Sequence, residues 1–140
     1  MRRYWIGVAA KDHVDIGVMG GFCMFAHGKH SAAKRLSPGD RFAYYAPMTG
    51  MGKGEPVRAF IAIAEVLEGE PEQRQMAPET TGWMRRSRYV RAQSADIYPL
   101  LPMLSFVTNP THWGMYFRKS LFEVAEADFE QIAKAMNAQF

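Results

Sequence analysis

The stretch Ala59-Phe60-Ile61-Ala62-Ile63-Ala64-Glu65-Val66 constrains this chain most, because apolar residues occupy both of its alternating faces. Successive side chains of a strand point to opposite sides. A strand with Ala59, Ile61 and Ile63 on one side and Phe60, Ala62, Ala64 and Val66 on the other is therefore covered on both. It is expected to run from Val57 to Leu67 in the middle of a sheet. A chain of 140 residues, 48% of them hydrophobic, can close one core of this kind, so one domain spanning residues 1–140 is expected.

Around that strand the pattern alternates short strands with turn signals. Tyr4 to Ala9 and Arg41 to Ala46 read as strands, and Ser37-Pro38-Gly39-Asp40 as the turn before the second. Charged Lys11-Asp12-His13 ends the first strand, and a short helix or turn is expected to follow, kept from being long by Gly17, Gly20 and Gly21. Phe22 to Phe25 is a short apolar segment, and Ser31 to Leu36 a brief helix. Pro47 to Pro56, with Gly50, Gly52, Gly54 and Lys53, reads as a mobile loop. Further strand material is expected at Tyr89 to Ala92 and Met115 to Val124. In Glu126 to Met136, Phe129, Ile132, Ala133 and Met136 fall at i, i+3, i+4 and i+7, one face of a closing helix. Many strands and short helices favour an α+β fold: a twisted, partly closed β-barrel with short peripheral helices and a C-terminal helix.

Cys23 is the only cysteine, so no disulfide can form within the chain, and a reducing, cytoplasmic location is expected. No hydrophobic run approaches the ~20 residues of a membrane helix, and the apolar stretch after Met1-Arg2-Arg3 ends too soon at Lys11 to read as a signal peptide. Net charge is +3, but acidic residues concentrate in Glu65 to Glu79 while the segments on either side are basic. In Arg85-Arg86-Ser87-Arg88-Tyr89 guanidinium groups interleave with an aromatic ring, which suits phosphate contact and base stacking, although a solvated strand would carry the same pattern.

Cys23, His27 and His30, with His13 and His112, have spacings that a metal could use, but the paired ligands of a structural zinc site are missing and no metal is expected. Gly50-Met51-Gly52-Lys53-Gly54 lacks the spacing and hydroxyl of a triphosphate-binding loop. Several aromatic residues stand at strand ends or in loops, where a few could wall a pocket for a planar base.

The motifs Tyr4-Trp5-Ile6-Gly7-Val8-Ala9, Lys11-Asp12-His13-Val14, Gly20-Gly21-Phe22-Cys23 and His27-Gly28-Lys29 resemble the opening of bacterial EVE-domain proteins. Tyr44-Tyr45-Ala46-Pro47, Arg85-Arg86 with Arg88-Tyr89, Leu104-Ser105-Phe106, His112-Trp113-Gly114 and Leu121-Phe122-Glu123-Val124 follow in that family's order. The family lies in the PUA-like superfamily and is similar to the YTH domain, which captures a methylated adenine in an aromatic cage. The resemblance implies non-catalytic recognition of a modified base in DNA or RNA. It places Phe22 as a cage aromatic, Cys23 beside the base, Tyr44, Tyr45 and Trp83 as further walls, and Lys11, His27 and Trp113 around them. Lys29, Arg85, Arg86 and Arg88 would hold the backbone. No cofactor is implied, and a monomer is expected. Phe22 stands where YTH cages have a tryptophan, and Ala125 stands where the family often has a serine helix cap. Two other readings remain open at this level: a small PUA-like amidohydrolase using Cys23, Lys11 and the histidines, and a sensor of a free nucleobase or nucleotide.

Overall fold

The computed structural model describes residues 1–140. Its centre is an eight-stranded mixed sheet that curls into a half-barrel. Strand β1 (Tyr4–Val8) lies parallel to β3 (Arg41–Gly50) and antiparallel to β8 (Leu121–Val124). On its other side β3 pairs with β4 (Lys53–Val66), which pairs in turn with β6 (Thr80–Tyr89) and the short β7 (Ala95–Asp96). Strands β2 (Phe22–Cys23) and β5 (Glu72–Ala77) both pair with β6. The crossover from β1 to β3 carries α1 (Lys11–Gly20) and α2 (His30–Arg35). The chain closes through α3 (Ile97–Leu100), a 3₁₀ segment (Pro110–Phe117) and α4 (Glu126–Ala135). No helix is long and apolar enough to cross a membrane.

The expected two-faced strand is central, and a core packs on each side of it. Phe60 and Ile63 meet Ile6, Tyr45 and the α4 residues Phe129 and Ile132, with Met136 just beyond that helix. Ala62, Ala64 and Val66 meet Trp5, Phe42, Tyr44 and Val14 inside the curl. The assignment of faces needs one correction. Tyr44 pairs with Ala62 but Tyr45 pairs with Phe60, so Ile61 is an inserted residue. A bulge of this kind reverses the alternation, which is why Phe60 and Ile63, three apart, share a face.

Other expectations shift too. Pro47 to Pro56 is no mobile loop: β3 and β4 continue through it as a hairpin that turns at Met51 and Gly52, the latter in the left-handed region at φ 63°. Helix α1 runs a full ten residues because its glycines fall at the end or on a packed face. Met115 to Phe117 is 3₁₀ helix, and the arginine strand ends at Tyr89, where further strand was expected to begin. The β5–β6 hairpin had no expectation, since Glu-Gln-Arg-Gln-Met-Ala is polar and projects with most of its residues exposed. Ala125 does sit at the N-cap of α4 with no side-chain cap.

Candidate nucleic-acid interface

Beyond the C-terminal end of β1 the chain turns through Ala9 and Ala10 into α1 and leaves a cavity of about 220 Å³. Its floor is Val8, Ala9 and Ala10; its walls are His13, Met24, Phe25 and Ser120; Ala26, His27 and Met51 form the mouth. Pockets for drug-sized ligands span ~300–1,000 Å³, so this one matches a single small heterocycle.

The walls are held by the backbone of Met24. Its amide donates to the Tyr44 hydroxyl at 3.2 Å, and the same hydroxyl donates to its carbonyl at 3.1 Å. His13 Nε2 lies 3.0 Å from that carbonyl. A carbonyl only accepts, so Nε2 carries the hydrogen. Phe25 packs against Phe42 and Tyr44 at 5.5 and 5.1 Å between ring centres.

Ala26, His27 and Gly28 then take three consecutive left-handed conformations, at φ 51°, 57° and 79°. Each costs a non-glycine residue roughly 1–2 kcal/mol, and such strain persists where surrounding structure enforces it. Here the enforcement is a backbone contact: a Cβ on Gly28 would lie 2.6 Å from Gly82 Cα in β6. The turn leaves His27 exposed at the cavity mouth.

Of the residues that the resemblance implied, the structure brings His27 to the cavity and places Tyr44 and Cys23 one layer behind it. The others go elsewhere. Phe22 is buried between Met24 and Met84, with the Arg74 guanidinium 4.3 Å from its ring centre, so packing occupies the proposed cage aromatic. Tyr45 points to the opposite face from Tyr44, as neighbours in a strand must, and lies 4.5 Å from Phe117. Trp83 stacks on His30 at 4.1 Å, Trp113 rests against Tyr45, Tyr98 and Phe117, and Lys11 pairs with Asp15 at 2.7 Å. Phe25, His13, Met24 and Met51, which line the cavity, were not among the expected site residues. Only the acute turn after β2 aims Phe25 and Met24 at the cavity, and no spacing signals that turn.

The expected backbone-holding set is also revised. Arg85 points inward, is buried, and donates to the carbonyls of Ala33, Leu36 and Gly69, so it cannot meet a phosphate. Arg86 forms a two-point ion pair with Glu72 at 2.8 and 3.2 Å. Arg88 is exposed on the same strand, opposite Glu65 in the ladder and away from the cavity. The N-terminal cations are engaged as well: Arg3 and Arg35 flank the Trp5 ring, and Arg2 and Arg41 meet Glu65. Lys29, Lys53, Arg118 and Lys119, by contrast, stand within two residues of His27, Met51 or Ser120. All four are exposed and form no ion pair.

Cys23 is 1% exposed, and burial pushes its thiol up to about 12, against smaller opposing effects from Ser87 and Arg85. At pH 8 that leaves roughly one part in ten thousand as thiolate, the nucleophilic form. Folded protein is therefore expected to react with a disulfide reagent only as fast as it unfolds, and to label fully in guanidinium. A rapid labelling phase under native conditions would show the thiol to be reachable. Nowhere in the chain do three or more His, Cys, Asp or Glu side chains gather as a metal would need.

The EVE domain family model matches residues 3–135. The chain is 39% identical to a UPF0310 protein of Mesorhizobium japonicum over 140 residues, covering 99% of this chain and 94% of that one. It is 37% identical to a UPF0310 protein of Mycolicibacterium vanbaalenii, covering 94% and 91%. Among solved structures it is similar to the YTH domain of the Zygosaccharomyces rouxii MRB1 protein in complex with N6-methyladenosine RNA. The TM-score there is 0.62 at 12% identity, over 99% of this chain and 87% of that one, a likeness of fold.

Proposed function

Because the chain belongs to the EVE-domain family, we propose that it reads a modified base in nucleic acid by taking that base into the cavity between β1 and the Met24–His27 turn. The observation that carries this reading is the cavity itself: single-heterocycle size, a mouth strained into left-handed backbone at Ala26 and His27, and four unpaired cations beside its lining residues. A fold neighbour that holds N6-methyladenosine RNA supports the same use of the architecture.

The proposed roles follow from the geometry. Phe25, Met24 and Met51 give apolar contact to a planar ring, and His13, with its Nε2 hydrogen already given to the Met24 carbonyl, offers Nδ1 as a polar contact. Lys29, Lys53, Arg118 and Lys119 hold phosphates. Extruding a base costs a few kcal/mol, which stacking of ~1–3 kcal/mol and edge hydrogen bonds must offset. That balance favours a base whose modification fills the cavity. Cys23, the thiol a hydrolytic reading would use, is buried behind the cavity and held protonated by that burial, so we assign binding without turnover.

The test is a titration against single-stranded DNA and RNA oligonucleotides carrying individual modified bases, each beside its plain counterpart. At least one modified strand is expected to bind ten-fold or more tightly than its plain match. Equal binding of all pairs would remove the reading, and uptake of a free base without any strand would replace it with a small-molecule sensor.

A further inference from the structure

Arg58 is one of four non-glycine residues with left-handed backbone, at φ 49°, and unlike Ala26 and His27 it lies outside the cavity. It belongs to β4 where the ladder slips: Ala46 pairs with Ala59 but Met48 pairs with Pro56, so Val57 and Arg58 stand opposite Pro47 alone. Such a bulge re-aims a side chain. Arg58 is exposed, forms no ion pair, and its Nη1 lies 3.3 Å from the Tyr98 hydroxyl. Tyr98 is 49% exposed and held in place, since Asp96 accepts from its amide at 2.9 Å. Trp113 meets the Tyr98 ring edge-on at 5.6 Å and keeps part of its own surface open. A free guanidinium thus stands beside two partly bare aromatic rings.

This cluster lies at the same end of the sheet as the cavity. The amide of Ala9, in the cavity floor, donates to the Tyr45 carbonyl at 3.1 Å. Tyr45 pairs with Phe60, Ala46 with Ala59, and Ala59 with Asp96. Measured along the sheet, two to three strand spacings, ~10–15 Å, separate floor from cluster, which lies on the Tyr45 face, so a bound strand rounds the end of the sheet between them. A stacked strand covers that in three to four nucleotides at ~3.4 Å each, and an extended one in fewer. The segment carrying Trp113 leads through Arg118 and Lys119 directly to Ser120 in the cavity wall, so unpaired cations span the gap.

We infer that Arg58, Tyr98 and Trp113 form a second nucleotide site, which stacks a base a few nucleotides along the strand whose modified base enters the cavity, with Arg58 on the phosphate beside it. This rests on the base-reading function proposed above. A π-face accepts any base, so the second site adds affinity without sequence preference. It also makes affinity depend on strand length.

The experiment compares N6-methyladenosine as a free nucleoside with heptanucleotides carrying it centrally or carrying plain adenosine, followed by tryptophan fluorescence at several salt concentrations. Tyr98→Ala is expected to weaken both heptanucleotides about ten-fold and leave nucleoside binding unchanged. Arg58→Gln is expected to lower the salt slope by ~0.7, one phosphate contact on a single strand. Tyr98→Phe, which keeps the ring, should bind as wild type, and unchanged melting curves show that each variant is folded. Heptanucleotide affinity unaltered in Tyr98→Ala would overturn the inference and leave the cluster to a protein partner. An equal loss for the nucleoside would overturn it by showing the cluster to act through the cavity. If wild type binds the nucleoside as tightly as the heptanucleotides, the second site fails alone; if it binds none of the three, the same variants are read on the modified strand that binds tightest, and if no strand binds, the reading of the cavity fails first and takes this inference with it.

Discussion

Arg85→Ala is expected to lower the stability of the fold by about 3–5 kcal/mol while leaving the nucleic-acid affinity of the folded protein as it was. The arginine stands in the segment that most resembles a phosphate-binding strand, yet it is 4% exposed. Its Nη1 donates to the carbonyls of Ala33 and Leu36 and its Nη2 to Gly69, so one guanidinium ties the end of α2 and the turn after β4 to β6. Carbonyls at a helix C-terminus lack partners within the helix and carry partial negative charge, which a buried cation satisfies. Truncation to alanine would leave the buried Leu36 carbonyl without a donor at ~1–3 kcal/mol, loosen the ties to Ala33 and Gly69, and remove the packing of the buried side-chain stem. For a chain of this size that is a fall in melting temperature of about 10–15 °C. Calorimetry of the variant, with a titration below its melting point, checks both halves. A variant that melts like wild type but no longer binds strands would return Arg85 to the phosphate role read from the sequence.

The second large effect separates the mouth from the cavity. The double variant Arg118→Ala/Lys119→Ala removes two exposed cations that precede Ser120 in the cavity wall. It is expected to weaken binding to modified and plain strands alike by about ten- to a hundred-fold near physiological salt, and to lower the salt slope by ~1.4, since each lost contact on a single strand contributes ~0.7. His13→Ala and Met51→Ala act differently. His13 meets the Met24 carbonyl inside the cavity and Met51 covers its mouth with a largely exposed side chain, so neither replacement releases counterions. Both should erase most of the preference for the modified base, about ten-fold, with the slope unchanged. Matched oligonucleotides at four salt concentrations give slope and preference together. Loss of preference in the charge variant would show that mouth and cavity do not act separately.

What could be read from the sequence was whatever is periodic and local. The apolar residues from Ala59 to Val66 demanded cover on both faces, and two cores supply it. The spacing of Phe129, Ile132 and Met136 put one helical face inward. The ordered motifs carried the family. Alternation also shows that Arg85 and Ser87 face away from Arg86 and Arg88, and that Tyr44 and Tyr45 oppose each other, but a period of two does not say which side is the interior. That was decided by what packs on β6: α2 and the turn at Gly69 lie on the Arg85 side, and Glu72 meets Arg86 on the other. Bulges at Ile61 and Arg58 then reverse the count within a strand, and they arise from the pairing of β3 with β4, not from either strand alone. The cavity depended wholly on tertiary structure. Its lining comes from Val8 to Ala10, His13, Met24 to His27, Met51 and Ser120, segments far apart in the chain, and its strained mouth adjoins the point where Gly28 and Gly82 bring two backbones into contact. A local pattern records what a segment prefers; this site is held where Ala26 and His27 are kept from their preferred conformations, and only the surrounding fold can supply that force.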